Sequence, residues 1–255
     1  ALIKGVVAGI RDYGFKVGGF TAFVTSDVLM GAGMSSSAAF ESLIGTILSG
    51  LYNDMKVSSV DVAKIGQYAE NVYFGKPCGL MDQMACSVGG FVTIDFNDPK
   101  NPVIEEVDFD FAKCGHSLCI VDTKGSHSDL TDEYAAIRTE MESVAEFFGK
   151  KVLREVSEEE FKSKIRELRT AVGDRAILRA MHFYADNARV LKEVDALRGG
   201  DFETFKKYIL ESGASSYKYN QNVFSVKQPS VQPVSLALAV SESILKGRGA
   251  WRVHG

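Results

Sequence analysis

The sequence predicts a globular chain in which α-helices and β-strands are mixed, organised as one large domain or two smaller ones. Apolar residues recur at helical spacing in several segments, and residues 40–51 are a clear example. Residues 18–25 and 89–96 begin with glycine pairs and have the aromatic and β-branched composition of strands. With 255 residues, of which 45% are hydrophobic and 24% charged, the chain can bury a sizeable core.

The charge and composition of the chain exclude several classes of partner. A net charge of -4 does not supply the basic surface that nucleic-acid binding needs. No window is apolar and long enough to cross a bilayer, and the N-terminus lacks the layout of a secretion signal. The four cysteines lack the spacing of a zinc site. We therefore expect a cytoplasmic protein that binds neither nucleic acid nor a membrane.

A stretch rich in glycine and serine precedes the helix of residues 40–51. Gly31 and Gly33 permit backbone angles that let main-chain N–H groups converge on an anion at the helix N-terminus. The three serines at 35–37 add hydroxyls that can donate to phosphate oxygens or ligate magnesium. The stretch predicts a phosphate cradle, with an ordinary helix cap as the alternative. No Gly-Lys-Ser/Thr follows, and a serine replaces the third glycine of a dinucleotide loop, so neither of those loops fits.

A second helix and a sharp turn follow in the chain. Ser58 with Asp61 three residues later is a variant of the capping box, and Glu70 falls in the last turns of the helix that it opens. A proline-cysteine-glycine turn then leads to Asp82 and Gln83, which stand between methionines. Because a simple core segment rarely carries a carboxylate, Asp82 is either hydrogen-bonded for structural reasons or an acid or base at a site.

Local signals predict the remaining elements in order. A helix is expected over residues 1–8, a strand over residues 117–122, and a further strand over residues 249–255. Polar caps or proline predict the starts of five helices in the second half of the chain, at Thr131, Ser157, Asp174, Asp201 and Pro233.

Two motifs resemble those of the galactokinases, which belong to the superfamily named for galactokinase, homoserine kinase, mevalonate kinase and phosphomevalonate kinase. Residues 31–38, Gly-Ala-Gly-Met-Ser-Ser-Ser-Ala, are similar to the ATP loop of the superfamily. Residues 77–83, Pro-Cys-Gly-Leu-Met-Asp-Gln, are similar to the string that marks galactokinases within it. Residues 121–138 resemble the next segment of the family, and residues 252–255 resemble the start of its third, glycine-rich motif.

This resemblance implies a two-domain α+β fold. It implies an N-terminal, ribosomal-S5-like mixed α/β domain over residues 1–112, which carries the ATP loop and the catalytic aspartate. A C-terminal, ferredoxin-like α/β domain is implied over residues 113–255. The N-terminal sugar-binding motif of the family and most of its glycine-rich motif have no counterpart in the sequence. We therefore expect this chain to be a fragment with little or no turnover by itself.

The resemblance also implies roles for residues that would bind ATP and Mg²⁺. The phosphate loop is expected to use the small residues at the start of the helix, namely Gly31, Gly33, Ser35, Ser36 and Ser37. Ser37 and Glu70 are the expected pair at magnesium, because one hydroxyl and one carboxylate leave coordination positions for phosphate oxygens and water. The alternative for Glu70 is a solvated helix carboxylate without a role.

For the sugar, the resemblance implies that Asp82 accepts or orients the proton of the galactose C1 hydroxyl. Gly79 and Tyr134 fall at sugar-contact positions of the family, although Tyr134 could instead be the first core residue of its helix. The implied reaction is ATP-dependent phosphorylation of galactose to galactose 1-phosphate and ADP, a step of the Leloir pathway. The alternatives are a kinase for N-acetylgalactosamine or arabinose, or a non-catalytic regulator that senses galactose and ATP.

Overall fold

The computed structural model describes residues 1–28, 34–76, 78–98, 101–125 and 131–254. The chain divides into two compact units, Ala1–Glu106 and Val107–Gly255. Helices dominate the described residues, and two strands form a small sheet. This mixture is consistent with the predicted α+β class. In the described part of the chain, no helix has the length and apolar character required to span a membrane.

In its described residues, the first unit consists of four α-helices, one π-helical segment and the sheet. Its elements are α1 (Leu2–Asp12), α2 (Ser36–Asn53), α3 (Ser59–Tyr68), the π-helical segment Ala69–Phe74, α4 (Met81–Val88), β1 (Phe91–Asp95) and β2 (Val103–Val107). The predicted helix start at Ser58 is confirmed, because the Ser58 hydroxyl accepts a hydrogen bond from the Asp61 N–H at 3.1 Å. The predicted strand at 89–96 is confirmed as β1.

The strand predicted over residues 18–25 is wrong. These residues form no regular secondary structure, and the Phe23 side chain is 95% exposed. A strand is stabilised by hydrogen bonds to a partner, and the segment pairs with no strand among the residues that the structure describes. Its β-branched and aromatic composition was therefore insufficient to define its conformation.

The main core of the first unit lies between α1, α2 and α3. It is formed by apolar side chains with exposures of 6% or less: Val6, Ile10, Ile44, Leu48, Val57, Val62, Ile65 and Ala69. Two glycines of α1 permit close packing on this core. A Cβ added to Gly5 would lie 2.6 Å from the Cβ and 2.7 Å from the Cα of Ala69, and one added to Gly9 would meet Ile65 at 2.7 Å. The helices therefore approach one another at positions where only glycine fits.

Gly5→Ala is expected to destabilise the protein although alanine is the better helix former. The added methyl group meets backbone that cannot move away cheaply, and overpacking of this kind costs about 1–3 kcal/mol. Gly50→Ala in α2 is the matched control, because its Cβ would meet only the flexible Met55 side chain at 3.3 Å. We expect it to gain up to about 1 kcal/mol from helix propensity. Urea unfolding of both variants measures the difference, and equal stability of the two would contradict this packing.

The second unit is helical in its described residues. Its α-helices are α5 (Thr131–Phe147), α6 (Glu158–Ser163), α7 (Ile165–Ala171), α8 (Asp174–Arg198), α9 (Phe202–Ser215) and α10 (Pro233–Leu245). Short 3₁₀ turns occupy Phe111–Lys113 and Leu153–Glu155, and a π-helical segment occupies Ser216–Asn220. The predicted helix starts at Ser157, Asp174, Asp201 and Pro233 are confirmed, two of them by side-chain caps at Ser157 and Asp201. The predicted helix after Thr131 is present as α5, but the residues just before Thr131 lie outside the described residues. Apolar residues of α5 to α8 pack into one core that includes Val144, Phe161, Leu168 and Ile177.

The two strands predicted in the second unit are wrong for the described residues. Residues 117–122 and 249–254 form neither helix nor strand. Leu118 is 80% and Val121 63% exposed, so the expectation of a buried strand also fails there. Apart from Val107, the last residue of β2, the described part of the second unit contains no strand. The ferredoxin-like domain predicted for residues 113–255 stays a prediction, and so does the ribosomal-S5-like domain predicted for residues 1–112.

Candidate active site

The N-terminus of α2 brings together several residues that the sequence singled out. Ser35 stands at the helix N-cap with a left-handed backbone, φ 53°. Its side chain does not cap the helix within the described residues. Instead, the Ser35 hydroxyl donates a hydrogen bond of 2.6 Å to Oδ2 of Asp82, 47 residues further along the chain. The start of the helix is thereby tied to the predicted catalytic carboxylate.

Ser37, two residues after Ser35, meets the second predicted carboxylate. Its hydroxyl donates to Oε1 of Glu70 at 3.1 Å, and the Lys76 ammonium contacts the same oxygen at 3.3 Å. Glu70 lies in the π-helical segment Ala69–Phe74 that continues α3, and such wide turns often occur at functional sites. It is only 2% exposed, so the alternative of a solvated helix carboxylate is wrong.

The turn before α4 is held by amide side chains. The Asn71 side chain accepts from the Cys78 N–H at 2.7 Å, and the Gln67 amide donates to the Cys78 carbonyl at 3.3 Å. Leu80 is the N-cap residue of α4. Asp82 follows two residues later in the first turn of the helix, and it is exposed. The turn therefore presents Asp82 at the surface of the first unit, next to Ser35.

Two buried residues complete this cluster, and sequence reasoning assigned neither of them to it. Gln83 is 1% and Glu41 0% exposed. The Gln83 side-chain nitrogen donates to Glu70 at 2.9 Å and to Glu41 at 3.2 Å. For Glu41, the signal available in the sequence was its spacing of four residues after Ser37, which places both side chains on one face of the helix.

Burial controls the electrostatics of this cluster. Loss of solvent raises the pKa of Glu41 to about 7; the Glu70 carboxylate raises it further, while the Gln83 hydrogen bond and Lys76 act in the opposite direction. Burial and then the Glu70 carboxylate raise the pKa of the Cys78 thiol to about 12. The second carboxylate oxygen of Glu41 and the Gln83 carbonyl oxygen are buried and have no hydrogen-bond partner among the described residues. The protein therefore buries Glu41 at an electrostatic cost.

Glu41→Gln is expected to stabilise the protein increasingly as pH rises. The folded-state pKa of Glu41, about 7, exceeds its ordinary value of 4.5, so the contribution of this group to stability is greatest below pH 4.5 and is lost as pH rises through 7. The amide cannot ionise, so the variant should gain about 2–3 kcal/mol relative to wild type between pH 4.5 and 8. Urea unfolding of both proteins across this range measures the gain; a pH-independent difference would contradict the burial of an ionisable Glu41.

Not all predicted site residues join the cluster. Gly31 and Gly33 lie outside the described residues, as do Pro77 and Gly255. Ser36 is the first residue of α2, between the two contacting serines. Gly79 is exposed, and a Cβ added there would meet no described residue within 4 Å. Tyr134 belongs to α5 of the second unit and is 51% exposed, so it is not the buried core residue of the alternative interpretation.

The oxygen atoms of Ser37 and Glu70 fit a magnesium ion. Mg²⁺ prefers hard oxygen ligands and usually takes only one or two from the protein, the rest coming from phosphate and water. The two oxygens lie 3.1 Å apart, and the carboxylate is already held by other groups.

Comparison with known proteins shows what this chain is similar to. Residues 1–90 match the GHMP kinases N terminal domain. The galactokinase of Actinobacillus pleuropneumoniae is 38% identical over 201 residues, which are 78% of this chain and 51% of that protein. The galactokinase of Thermotoga petrophila is 35% identical over 213 residues, 84% of this chain and 58% of that protein. The chain thus spans between half and two thirds of the length of these relatives.

A solved structure has the same fold. The crystal structure of Lactococcus lactis galactokinase complexed with galactose matches with a TM-score of 0.70 and 21% identity, over 95% of this chain and 60% of that one. At this identity the likeness concerns the fold alone. The domain match and the curated relatives lead to one conclusion: this chain carries a GHMP kinase N-terminal domain and is similar to galactokinases over most of its length.

Proposed function

We propose that the protein carrying this chain transfers the γ-phosphoryl group of ATP to the C1 hydroxyl of galactose, as in the Leloir pathway. The observation that supports this most is the meeting of two hydroxyl–carboxylate pairs at the N-terminus of α2. Ser35 contacts Asp82 at 2.6 Å and Ser37 contacts Glu70 at 3.1 Å. Phosphoryl transfer requires alignment and charge neutralisation more than covalent chemistry, and these groups are suited to both tasks.

In this proposal the start of α2 binds the β- and γ-phosphates of ATP. The backbone N–H groups of a helix N-terminus attract anions, and the side chain of Ser35 leaves them uncapped within the described residues. The phosphate loop comprises Gly31, Gly33, Ser35, Ser36 and Ser37. Ser37 and Glu70 would hold Mg²⁺. When bound, this ion would neutralise charge on the phosphate oxygens.

Asp82 is proposed to accept the proton of the sugar hydroxyl. Its Oδ2 accepts a hydrogen bond from the Ser35 hydroxyl. This hydrogen bond fixes the rotation of the carboxylate and leaves Oδ1 for the substrate. Its exposed position in the first turn of α4 suits a group that must meet a substrate. Gly79 and Tyr134 are proposed to contact the sugar, and the open space around Gly79 is compatible with a ligand there. The protein is proposed to be a cytoplasmic monomer with domains at 1–112 and 113–255.

The proposal is tested by product analysis with competing sugars. The full-length protein is incubated with ATP and Mg²⁺ and with galactose, N-acetylgalactosamine or arabinose, and sugar 1-phosphate is detected by ³¹P NMR. We expect galactose 1-phosphate to form fastest, with one ADP released per product. A much faster reaction with another sugar would show that this other sugar, and not galactose, is the substrate. Binding of galactose and ATP without any ADP release would indicate a sensor instead of a kinase.

A further inference from the structure

The amide of Gln83 joins two buried carboxylates that come from different elements. Its nitrogen lies 2.9 Å from Oε2 of Glu70 in the π-helical segment and 3.2 Å from Oε2 of Glu41 in α2. The Cys78 sulfur is a third, longer contact at 3.6 Å. A side-chain amide has two N–H hydrogens, and each carboxylate can take one of them. α4 is therefore connected to both neighbouring elements through one nitrogen atom.

The two carboxylates determine which way the amide faces. If the amide were turned over, its carbonyl oxygen would face two carboxylate oxygens and both hydrogen bonds would be lost. The observed orientation leaves the buried Gln83 carbonyl oxygen without a partner in the part of the chain that the structure describes, which is itself unfavourable. The hydrogen bonds to the carboxylates thus outweigh the unpaired carbonyl. An amide held in one orientation is a defined donor for Glu70.

The two oxygens of Glu70 have different partners as a result. Oε2 accepts from Gln83, whereas Oε1 faces the Ser37 hydroxyl and Lys76. We propose that Gln83 is a positioning residue for the metal site: by holding Oε2 of Glu70, it directs Oε1 toward Ser37. This inference rests on the proposed function, because Ser37 and Glu70 are the proposed magnesium ligands. Partners that orient metal ligands typically change metal affinity by 10–100-fold when they are replaced.

The test compares a substitution of Gln83 with a substitution of its other partner, Glu41. Gln83→Met keeps the length of the side chain and removes both N–H donors. Glu41→Gln is the matched control, because it changes the other partner of Gln83 and leaves the contact with Glu70 in place. Binding of Mn²⁺ in the presence of ATP is measured by electron paramagnetic resonance. We expect Gln83→Met to weaken Mn²⁺ binding by about 10–100-fold and Glu41→Gln by less than about threefold.

A purely structural role for Gln83 predicts a different pattern. If the amide only fastened α4 to α2, both substitutions would alter thermal unfolding and neither would affect Mn²⁺ binding selectively. Equal affinities of wild type and a folded Gln83→Met would overturn the inference. Should Gln83→Met fail to fold, Glu41→Leu is compared with Glu41→Leu/Gln83→Met, because replacing both members of a buried polar pair is often tolerated. Weaker Mn²⁺ binding by the double variant than by Glu41→Leu supports the inference, and equal Mn²⁺ binding by the two overturns it.

Crystal structures without nucleotide separate this inference from the proposed function. We expect Oε1 of Glu70 to remain beside Ser37 in wild type and Glu41→Gln and to leave it in Gln83→Met. An unmoved Glu70 in Gln83→Met would overturn the positioning role whatever the protein binds. If Glu70 moves as expected but wild type binds neither Mn²⁺ nor ATP, the proposed function fails while the orientation of Glu70 by Gln83 stands.

Discussion

Asp82→Asn is expected to lower kcat for phosphoryl transfer by about 10²–10⁴-fold, the usual contribution of a positioned general base. The amide has the shape of the carboxylate and can still accept the Ser35 hydrogen bond, but it cannot take a proton from the sugar. Because Asp82 is exposed, its replacement should leave the fold intact. The KM for ATP should change little, since the proposed base acts on the acceptor.

Coupled ADP release by the full-length protein measures this effect, with thermal unfolding as the check on folding. Asp54→Asn is a suitable control, because Asp54 ends α2 with an 87% exposed side chain and lies far along the helix from its N-terminus. We expect the control to retain wild-type activity within about twofold. If Asp82→Asn kept full activity, Asp82 would have no part in the chemistry.

The second large effect is expected for Glu70→Gln, which removes the only carboxylate proposed at magnesium. We expect a loss of about 10²-fold or more in kcat/KM, because metal charge stabilisation at phosphate oxygens contributes several kcal/mol. Raising Mg²⁺ should recover part of the activity, since the Ser37 hydroxyl and the phosphates still provide ligands. This loss of activity should not arise from unfolding. Glu70 and Glu41 are buried near each other, so replacing Glu70 by a neutral residue removes a repulsion between two carboxylates.

Titration of activity against Mg²⁺ distinguishes a metal ligand from a structural carboxylate. A metal role predicts a shift of the Mg²⁺ midpoint to higher concentration, whereas a structural role predicts lower activity at every concentration with the same midpoint. Glu142→Gln provides a control, because that carboxylate pairs with Arg138 on the exposed side of α5. An unchanged Mg²⁺ midpoint in Glu70→Gln would remove Glu70 from the metal site.

Local signals in the sequence were sufficient to predict most helices. Ser58, Ser157 and Asp201 cap helices with their side chains as expected, because a cap depends only on a few neighbouring residues. Strands were predicted less well. Residues 18–25 have a strand-like composition, but a strand also requires a partner from elsewhere in the chain, and no local pattern reveals whether that partner is present.

The sequence predicts only part of the candidate site, because the rest depends on contacts between residues that are distant in the chain. The motif around Asp82 and the serine run were recognisable as strings, and the structure brings Ser35 to Asp82 and Ser37 to Glu70. The burial of Glu41 could not be read from its neighbours, because a glutamate in an amphipathic helix is usually solvated. Only tertiary packing places Glu41 beside Gln83 and thereby gives that amide two carboxylate partners.

We propose that a nucleoside triphosphate binds at the N-terminus of α2, between the proposed magnesium ligands Ser37 and Glu70 and the proposed base Asp82. A crystal structure of the protein with Mg²⁺ and a non-hydrolysable ATP analogue tests it most directly. We expect the metal at about 2.0–2.1 Å from oxygens of Ser37 and Glu70 and the γ-phosphate facing Asp82. Phosphates bound away from the start of α2, or a metal held by neither residue, would contradict the account.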